Sequence, residues 1–217
     1  MSAYALGIDI GGTFTDIVAY DINTGHTFNR KILTTQDDPS TAVIDGINLL
    51  ITMDGLEPGD TQRVVHATTL FTNALIERQG ARTGVITTEG FRDTLEIGRE
   101  RKYNLYDITI RKPEALVPRN LRMEAYERMN AKGEILAPLD TDSVLAAGQA
   151  LNEAGAESIA IIFLHAYANA CHEIKAAEIL ALAFPDISVS TSSEVAPEIR
   201  EYERASTTAA NAYIKPL

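Results

Sequence analysis

The segment that most constrains the fold is residues 6–21, an apolar run interrupted by two adjacent glycines. Residues 4–10 are apolar enough for a buried strand, and residues 17–20 provide the strand that returns. Gly11 and Gly12 lie between them, where a hairpin turn favours the positive φ that glycine adopts at little cost. The segment therefore predicts a β-hairpin whose glycines have positive φ.

Polar side chains are concentrated around this turn. Asp9 ends the first strand, and Thr13, Thr15 and Asp16 follow the glycines. The N–H groups of a tight turn form a concave site for anions. A carboxylate beside bound phosphate is the usual way to hold Mg²⁺. The turn thus predicts a phosphate and magnesium site, with an ordinary Gly-Gly β-turn as the alternative.

Residues 7–16, Gly-Ile-Asp-Ile-Gly-Gly-Thr-Phe-Thr-Asp, resemble the first phosphate-binding hairpin of the actin-like ATPase superfamily. Their Thr-Phe-Thr-Asp ending is more specific and resembles the hydantoinase A / 5-oxoprolinase family, to which acetone carboxylase subunits are related. The resemblance implies that Asp9 binds Mg²⁺ or its water shell, and that Asp9 and Asp16 are catalytic. It implies contacts to the phosphates of ATP for four residues of the turn: Gly11, Gly12, Thr13 and Thr15.

A second polar segment lies at the start of a predicted helix. Residues 63–67 predict a short buried strand, and a threonine after it can begin the helix. Residues 66–78 resemble the family's His-Gly-Thr-Thr…Thr-Asn-Ala-Leu block, although Ala67 replaces the expected glycine. The resemblance implies a cofactor-binding role at a helix N-terminus for His66, Thr68, Thr69 and Asn73. A well-capped βα unit with an incidental histidine is the alternative.

The most basic stretch of the chain begins within residues 90–99, which resemble the family's Gly-Phe-Arg-Asp…Glu-Ile-Gly-Arg segment. Its positive side chains are Arg92, Arg99, Arg101 and Lys102. They predict a rim that meets phosphate, a carboxylated substrate or a partner subunit, with a solvated surface cluster as the alternative.

The expected fold class is α/β. Three antiparallel strands open the chain, as the RNase H-like half of the actin-like fold requires, and residues 121–129 predict a later strand. We expect residues 1–135 to form an RNase H-like lobe with a mixed sheet. Residues 136–217 are expected to form an α/β segment with its own sheet, in which residues 194–213 form one helix.

Composition excludes several classes of partner. The net charge of −11 argues against nucleic acid or an anionic membrane as the main partner. No run approaches the roughly 18 apolar residues of a membrane helix. The single cysteine, Cys171, fits a reducing compartment, so the expected location is the cytoplasm.

The resemblance implies an ATP-dependent hydrolase that opens a cyclic amide such as a hydantoin or 5-oxoproline. ATP and Mg²⁺ are the implied cofactors, and a hydantoinase B-type subunit or domain is the implied partner. The alternatives are an acetone carboxylase-type enzyme acting on a ketone, a sugar or small-acid kinase, and a nucleotide-driven module without turnover. No second Asp-x-Gly-Gly-Thr turn occurs in the sequence. We therefore expect the chain to be the N-terminal piece of a longer protein, inactive by itself.

Overall fold

The computed structural model describes residues 3–35, 37–99, 106–110 and 113–217. They form two compact units, one ending at Glu77 and the other beginning at Arg78. The division falls before the domain boundary predicted at residues 135 and 136, because a strand over residues 83–88 joins the sheet of the C-terminal half. That boundary stays a prediction.

The first unit is built on a four-stranded mixed sheet in the order β3-β2-β1-β4. β1 pairs antiparallel with β2 and parallel with β4, and β2 pairs antiparallel with β3. The prediction of an α/β fold with a mixed sheet in this region is confirmed. Its elements are β1 (Tyr4–Ile10), β2 (Phe14–Asp21), β3 (Thr27–Leu33), α1 (Pro39–Asp54), a 3-10 turn (Pro58–Asp60), β4 (Thr61–Thr68) and α2 (Leu70–Glu77).

Helix α1 covers one face of this sheet. It begins where the Asp38 carboxylate accepts a hydrogen bond from the Ser40 N–H at 3.0 Å, and it ends at Gly55, which has a φ of 72°. Ile17 and Leu50 are fully buried between the helix and the sheet. Burial of such aliphatic side chains stabilises the first unit by about 1.5–3 kcal/mol for each.

A side chain at residue 46 would disrupt this packing. A Cβ placed on Gly46 would lie 2.2 Å from Ile17 Cδ1 and 2.9 Å from Ile32 Cδ1. We expect Gly46→Val to lower the free energy of unfolding by about 1–3 kcal/mol, the usual cost of overpacking. Chemical denaturation measures this loss, and Gly59→Val is the control because nothing lies within 4 Å of that site. Equal losses in the two variants would contradict the packing argument.

Strand β4 is not the buried strand that the sequence predicted. Its residues from 62 to 68 are all exposed, and Val64 and Val65 expose 58% and 48% of their surface. The physical reason is position, because β4 is at the edge of the sheet and α1 packs over β1, β2 and β3.

The second unit contains a four-stranded parallel sheet in the order β10-β9-β5-β6. The C-terminal segment therefore shares its sheet with earlier strands, and the expectation of a separate sheet is wrong. The strands of this sheet are β5 (Thr83–Thr88), β6 (Arg122–Ala125), β9 (Ser158–Ile162) and β10 (Ser188–Thr191). A separate antiparallel pair consists of β7 (Arg128–Met129) and β8 (Ile135–Ala137), so the strand predicted over residues 121–129 is divided between two sheets.

The helices of the second unit are α3 (Thr94–Ile97), α4 (Thr141–Glu153), α5 (Cys171–Ala183), α6 (Ser192–Val195) and α7 (Glu201–Ile214). α4 packs against α5, and α7 packs against α3, β9 and β10. The single helix predicted over residues 194–213 is wrong. It is interrupted at Pro197, because proline has no N–H to continue the helical hydrogen bonds.

A buried carboxylate connects α5 to the end of β9. Glu173 accepts hydrogen bonds from the Phe163 N–H at 2.8 Å, the Ser192 hydroxyl at 2.6 Å and the Ser193 N–H at 2.7 Å. Burial raises the pKa of the Glu173 carboxyl above its ordinary value, although these donors act in the opposite direction.

The raised pKa of Glu173 predicts a pH-dependent stability. The ordinary pKa of a glutamate carboxyl is 4.5. Above this pH the Glu173 carboxyl of the folded protein keeps its proton, while that of the unfolded chain loses it. The contribution of Glu173 to the free energy of unfolding therefore falls as pH rises from 4.5 through the raised pKa. Denaturation of the wild type and Glu173→Gln across this pH range should show the fall only in the wild type. A difference between the two proteins that is constant with pH would contradict the prediction.

Candidate functional site

The β1–β2 turn is closed by backbone hydrogen bonds from both sides. The Gly11 N–H donates to the Phe14 carbonyl at 2.9 Å, and the Thr34 N–H donates to the Thr13 carbonyl at 2.9 Å. The Gly11 N–H is thus used within the turn, and the predicted contact of Gly11 with phosphate stays a prediction. Gly12 and Thr13 form the outer part of the turn.

The prediction of positive φ at the two glycines is wrong, since neither is among the glycines with positive φ. Close approach explains their presence instead. A Cβ on Gly11 would lie 2.9 Å from the Phe14 carbonyl oxygen, and one on Gly12 would lie 2.9 Å from Asn73 Nδ2. Both distances are shorter than real Cβ contacts. The absence of side chains therefore lets the turn approach the Phe14 carbonyl and the Asn73 side chain closely.

The buried hydroxyl groups of Thr15 and Thr34 hold the turn through hydrogen bonds. Thr34 Oγ1 donates to the Gly11 carbonyl at 2.8 Å and lies 2.9 Å from Thr15 Oγ1. Since the Thr34 proton goes to Gly11, the Thr15 hydroxyl is the donor between the two threonines. The Thr15 side chain is fully buried and acts as a support of the turn. Sequence reasoning missed Thr34; its position at the end of the predicted third strand, beside the turn, was the available signal.

Three charged residues form a row across the sheet next to the turn. In the strand register Lys31 faces Asp16, and Asp16 faces Asp9, so their side chains share one face. Lys31 Nζ is 3.0 Å from an Asp16 carboxylate oxygen. The Asp9 side chain is exposed and forms no ion pair with any described residue. Of the two predicted catalytic carboxylates, Asp9 is the one whose charge is not paired with a lysine.

The β4–α2 junction lies directly beside the glycines. The Thr69 N–H and the Thr68 hydroxyl both donate to the Ile10 carbonyl, at 3.1 Å and 3.2 Å. The Asn73 N–H donates to the Thr69 carbonyl at 3.0 Å, which places Asn73 on the first turn of α2. Two segments that the sequence suggested separately, the turn and the start of α2, therefore meet at one edge of the sheet.

His66 does not join this group on the same face. It is the register partner of Ile8, whereas Ala67 is the partner of Asp9. Because alternate residues of a strand point to opposite faces, His66 points away from the face that carries Asp9 and Asp16. The predicted role of His66 in cofactor binding stays a prediction.

The basic stretch is only partly within the described residues, since Arg101 and Lys102 lie outside them. Arg99 is paired with Glu203 at 2.8 Å, and Arg92 donates to the Arg119 carbonyl at 3.0 Å. Both belong to the second unit.

The residues at the turn fit a magnesium nucleotide. Gly12 lies against the Asn73 side chain, α2 begins beside the turn, and the Asp9 carboxylate is exposed on the strand that leads into it. No group of three or more His, Cys, Asp or Glu side chains in the described part is arranged to hold a metal. Mg²⁺ does not need such a group when one carboxylate and phosphate oxygens hold it and water completes its shell.

The sequence is similar to known proteins over most of its length. Residues 5–183 match the family model of the hydantoinase/oxoprolinase N-terminal region. An uncharacterised protein of Methanocaldococcus jannaschii is 40% identical over 99% of this chain and 31% of its own length. The caprolactamase subunit alpha of Pseudomonas jessenii is 36% identical over 99% of this chain and 32% of its own length.

Solved structures show the same similarity. The crystal structure of the ATP-dependent caprolactamase from Pseudomonas jessenii has a TM-score of 0.83 over 98% of this chain and 32% of its own. Nucleotide-free acetone carboxylase, from a study of ATP-dependent acetone carboxylation, has a TM-score of 0.90 at 27% identity, over 100% of this chain and 33% of its own.

The chain thus spans about a third of the length of the relatives that it matches. No helix in the described ranges is both long enough and apolar enough to cross a membrane. The match to the family model covers most of the sequence, including the β1–β2 turn. The chain belongs to the hydantoinase/oxoprolinase family and corresponds to its N-terminal region.

Proposed function

We propose that the β1–β2 turn and the start of α2 bind the phosphates of ATP together with Mg²⁺. The observation that carries this proposal is the close approach of Gly12 to Asn73, which brings the glycines of the turn and the start of α2 together near an exposed carboxylate. The backbone of Gly12 and Thr13 and the side chains of Thr69 and Asn73 would face the phosphates.

Asp9 would hold Mg²⁺ directly or through its water shell. The bound ion would neutralise charge on the phosphates, which is the main requirement of phosphoryl transfer. Asp16 is paired with Lys31, so we assign it to orienting the site beside Asp9. Thr15 and Thr34 would keep the turn in its binding shape.

For the whole protein, we propose ATP-dependent opening of a cyclic amide of the hydantoin or 5-oxoproline type. Family membership supports this, as does the similarity to a caprolactamase described as ATP-dependent. Transfer of a phosphoryl group to the amide oxygen would make the ring carbonyl a better electrophile. A hydantoinase B-type subunit or domain is the proposed partner. ATP-dependent carboxylation of a ketone is the second candidate, favoured by the similarity to acetone carboxylase.

A substrate comparison tests these functions. We expect phosphate release by the full-length protein, with its partner subunit present, to increase when hydantoin or 5-oxoproline is added with Mg·ATP. An increase with acetone and bicarbonate but with neither cyclic amide would favour the carboxylase. ATPase activity that is the same with all substrates would contradict both enzymes and favour a nucleotide-driven module.

A further inference from the structure

Strand β4 has a free edge. It pairs with β1 along one side and is the last strand of its sheet in the part of the chain that the structure describes. The Thr69 N–H donates to the Ile10 carbonyl, so the backbone groups of Val65 and Ala67 also point toward β1, because they alternate along a strand. The intervening residues, Val64 and His66, direct their N–H and carbonyl groups to the free edge. Residues 62–68 are all exposed, which makes this edge long enough to pair with another strand.

The side chains of β4 are those of a strand that is covered on both faces. Val64 is the register partner of Leu6, and Val65 is the partner of Gly7, so two consecutive valines point to opposite faces of the sheet. Consecutive β-branched residues are typical of strands that are buried on both faces. These valines instead expose 58% and 48% of their surface. β4 therefore has the composition of a central strand at the position of an edge strand.

The helix that follows β4 is uncovered as well. α2 begins at the carboxyl end of β4 and packs extensively against no described strand of the first unit. Its Phe71 and Ile76 expose 42% and 74% of their surface. A strand and a helix in this order normally continue into a parallel strand of the same sheet, which the helix then covers. The next strand, β5, belongs to the sheet of the second unit, so the pair of β4 and α2 lacks its third element.

We propose that a strand from the part of the full-length protein outside residues 1–217 pairs with the free edge of β4. Because this chain spans about a third of the length of its relatives, about two thirds of a full-length protein would be available to supply the strand. Pairing within one polypeptide would cover Val64 and Val65 and leave no open edge to promote aggregation. The proposal does not depend on nucleotide binding at the β1–β2 turn, so either proposal can fail alone.

Hydrogen–deuterium exchange of the full-length protein, resolved to single residues of β4, tests this pairing. The N–H groups of Val65 and Ala67 point toward β1 and are the controls within the same strand. We expect the N–H groups of Val64 and His66 to exchange within about tenfold of these controls, because each would donate to the added strand. Exchange of Val64 and His66 that is faster than this would overturn the proposal, since their donors would then be open to water.

Protein concentration and the partner subunit distinguish the added strand from two other occupants. The same exchange is measured at two protein concentrations, each with and without the proposed hydantoinase B-type subunit. Protection of Val64 and His66 that persists in the dilute protein alone would support a strand of the same polypeptide. Protection that is lost on dilution would assign the edge to a second copy of the protein, and protection that requires the partner would assign it to that subunit. Either of these two results would overturn the proposal.

Discussion

Gly12→Val is expected to reduce ATP turnover of the full-length protein by about 100-fold or more, while the fold is retained. A Cβ added at this position would lie 2.9 Å from Asn73 Nδ2, and the two methyl groups of valine would add further bulk beside the turn. Misplacement of a phosphate by about 1 Å costs roughly this factor, because phosphoryl transfer depends on position. Phosphate release under saturating Mg·ATP measures the effect.

Two variants make the Gly12 result specific. Gly59→Val adds the same side chain in the same unit where nothing lies within 4 Å, so its turnover should be unchanged. Gly12→Ala should have a smaller effect than Gly12→Val, since the neighbouring amide of Asn73 is the tip of a flexible side chain. Wild-type turnover in a folded Gly12→Val protein, verified by circular dichroism, would contradict the phosphate site.

Asp9→Asn is expected to raise the Mg²⁺ concentration for half-maximal ATPase activity by about tenfold or more. Asparagine keeps the shape of the side chain and removes the charge that attracts the cation. Near a protein surface, two unit charges 4 Å apart attract each other by about 4 kcal/mol, and part of this remains after the cost of desolvation. Asp16 cannot replace Asp9 fully, because Lys31 already pairs with it.

The control for Asp9 is Asp45→Asn, an exposed position on α1 in the same unit. It removes one negative charge without changing the row of charged residues beside the turn, so its Mg²⁺ dependence should match that of the wild type. If the titration curve of Asp9→Asn also matches the wild type, the metal role of Asp9 is wrong.

The three antiparallel strands of the first unit could be predicted because the signals that specify them lie close together in the sequence. The apolar run before Gly11 and the glycines themselves specify a hairpin. The strand after Asp21 follows a short turn, which favours antiparallel pairing with β2. The exposure of β4 could not be predicted in this way. Val64 and Val65 have the composition of a buried strand, and only the position of β4 at the sheet edge leaves them exposed.

The sheet of the second unit was harder to predict because parallel pairing is non-local. β5 and β9 are separated by about 70 residues, and no periodicity in either segment identifies the other as its partner. For the candidate site, the sequence predicted the residues of the turn and of α2 as two separate groups. The structure shows that the two groups meet at Gly12 and Asn73. Thr34 carries no motif of its own, so its role became visible only through its hydrogen bonds.

The hydroxyl pair of Thr15 and Thr34 has a consequence for the thermodynamics of ligand capture. The pair is buried and holds the Gly11 carbonyl, so the turn has lost its conformational freedom before any ligand arrives. Fixing one backbone residue costs about 1–2 kcal/mol of entropy at 25 °C. The turn loses this entropy when the protein folds, so the loss does not reduce the affinity for a ligand. Residues that never touch the nucleotide would thus contribute to its affinity through preorganisation.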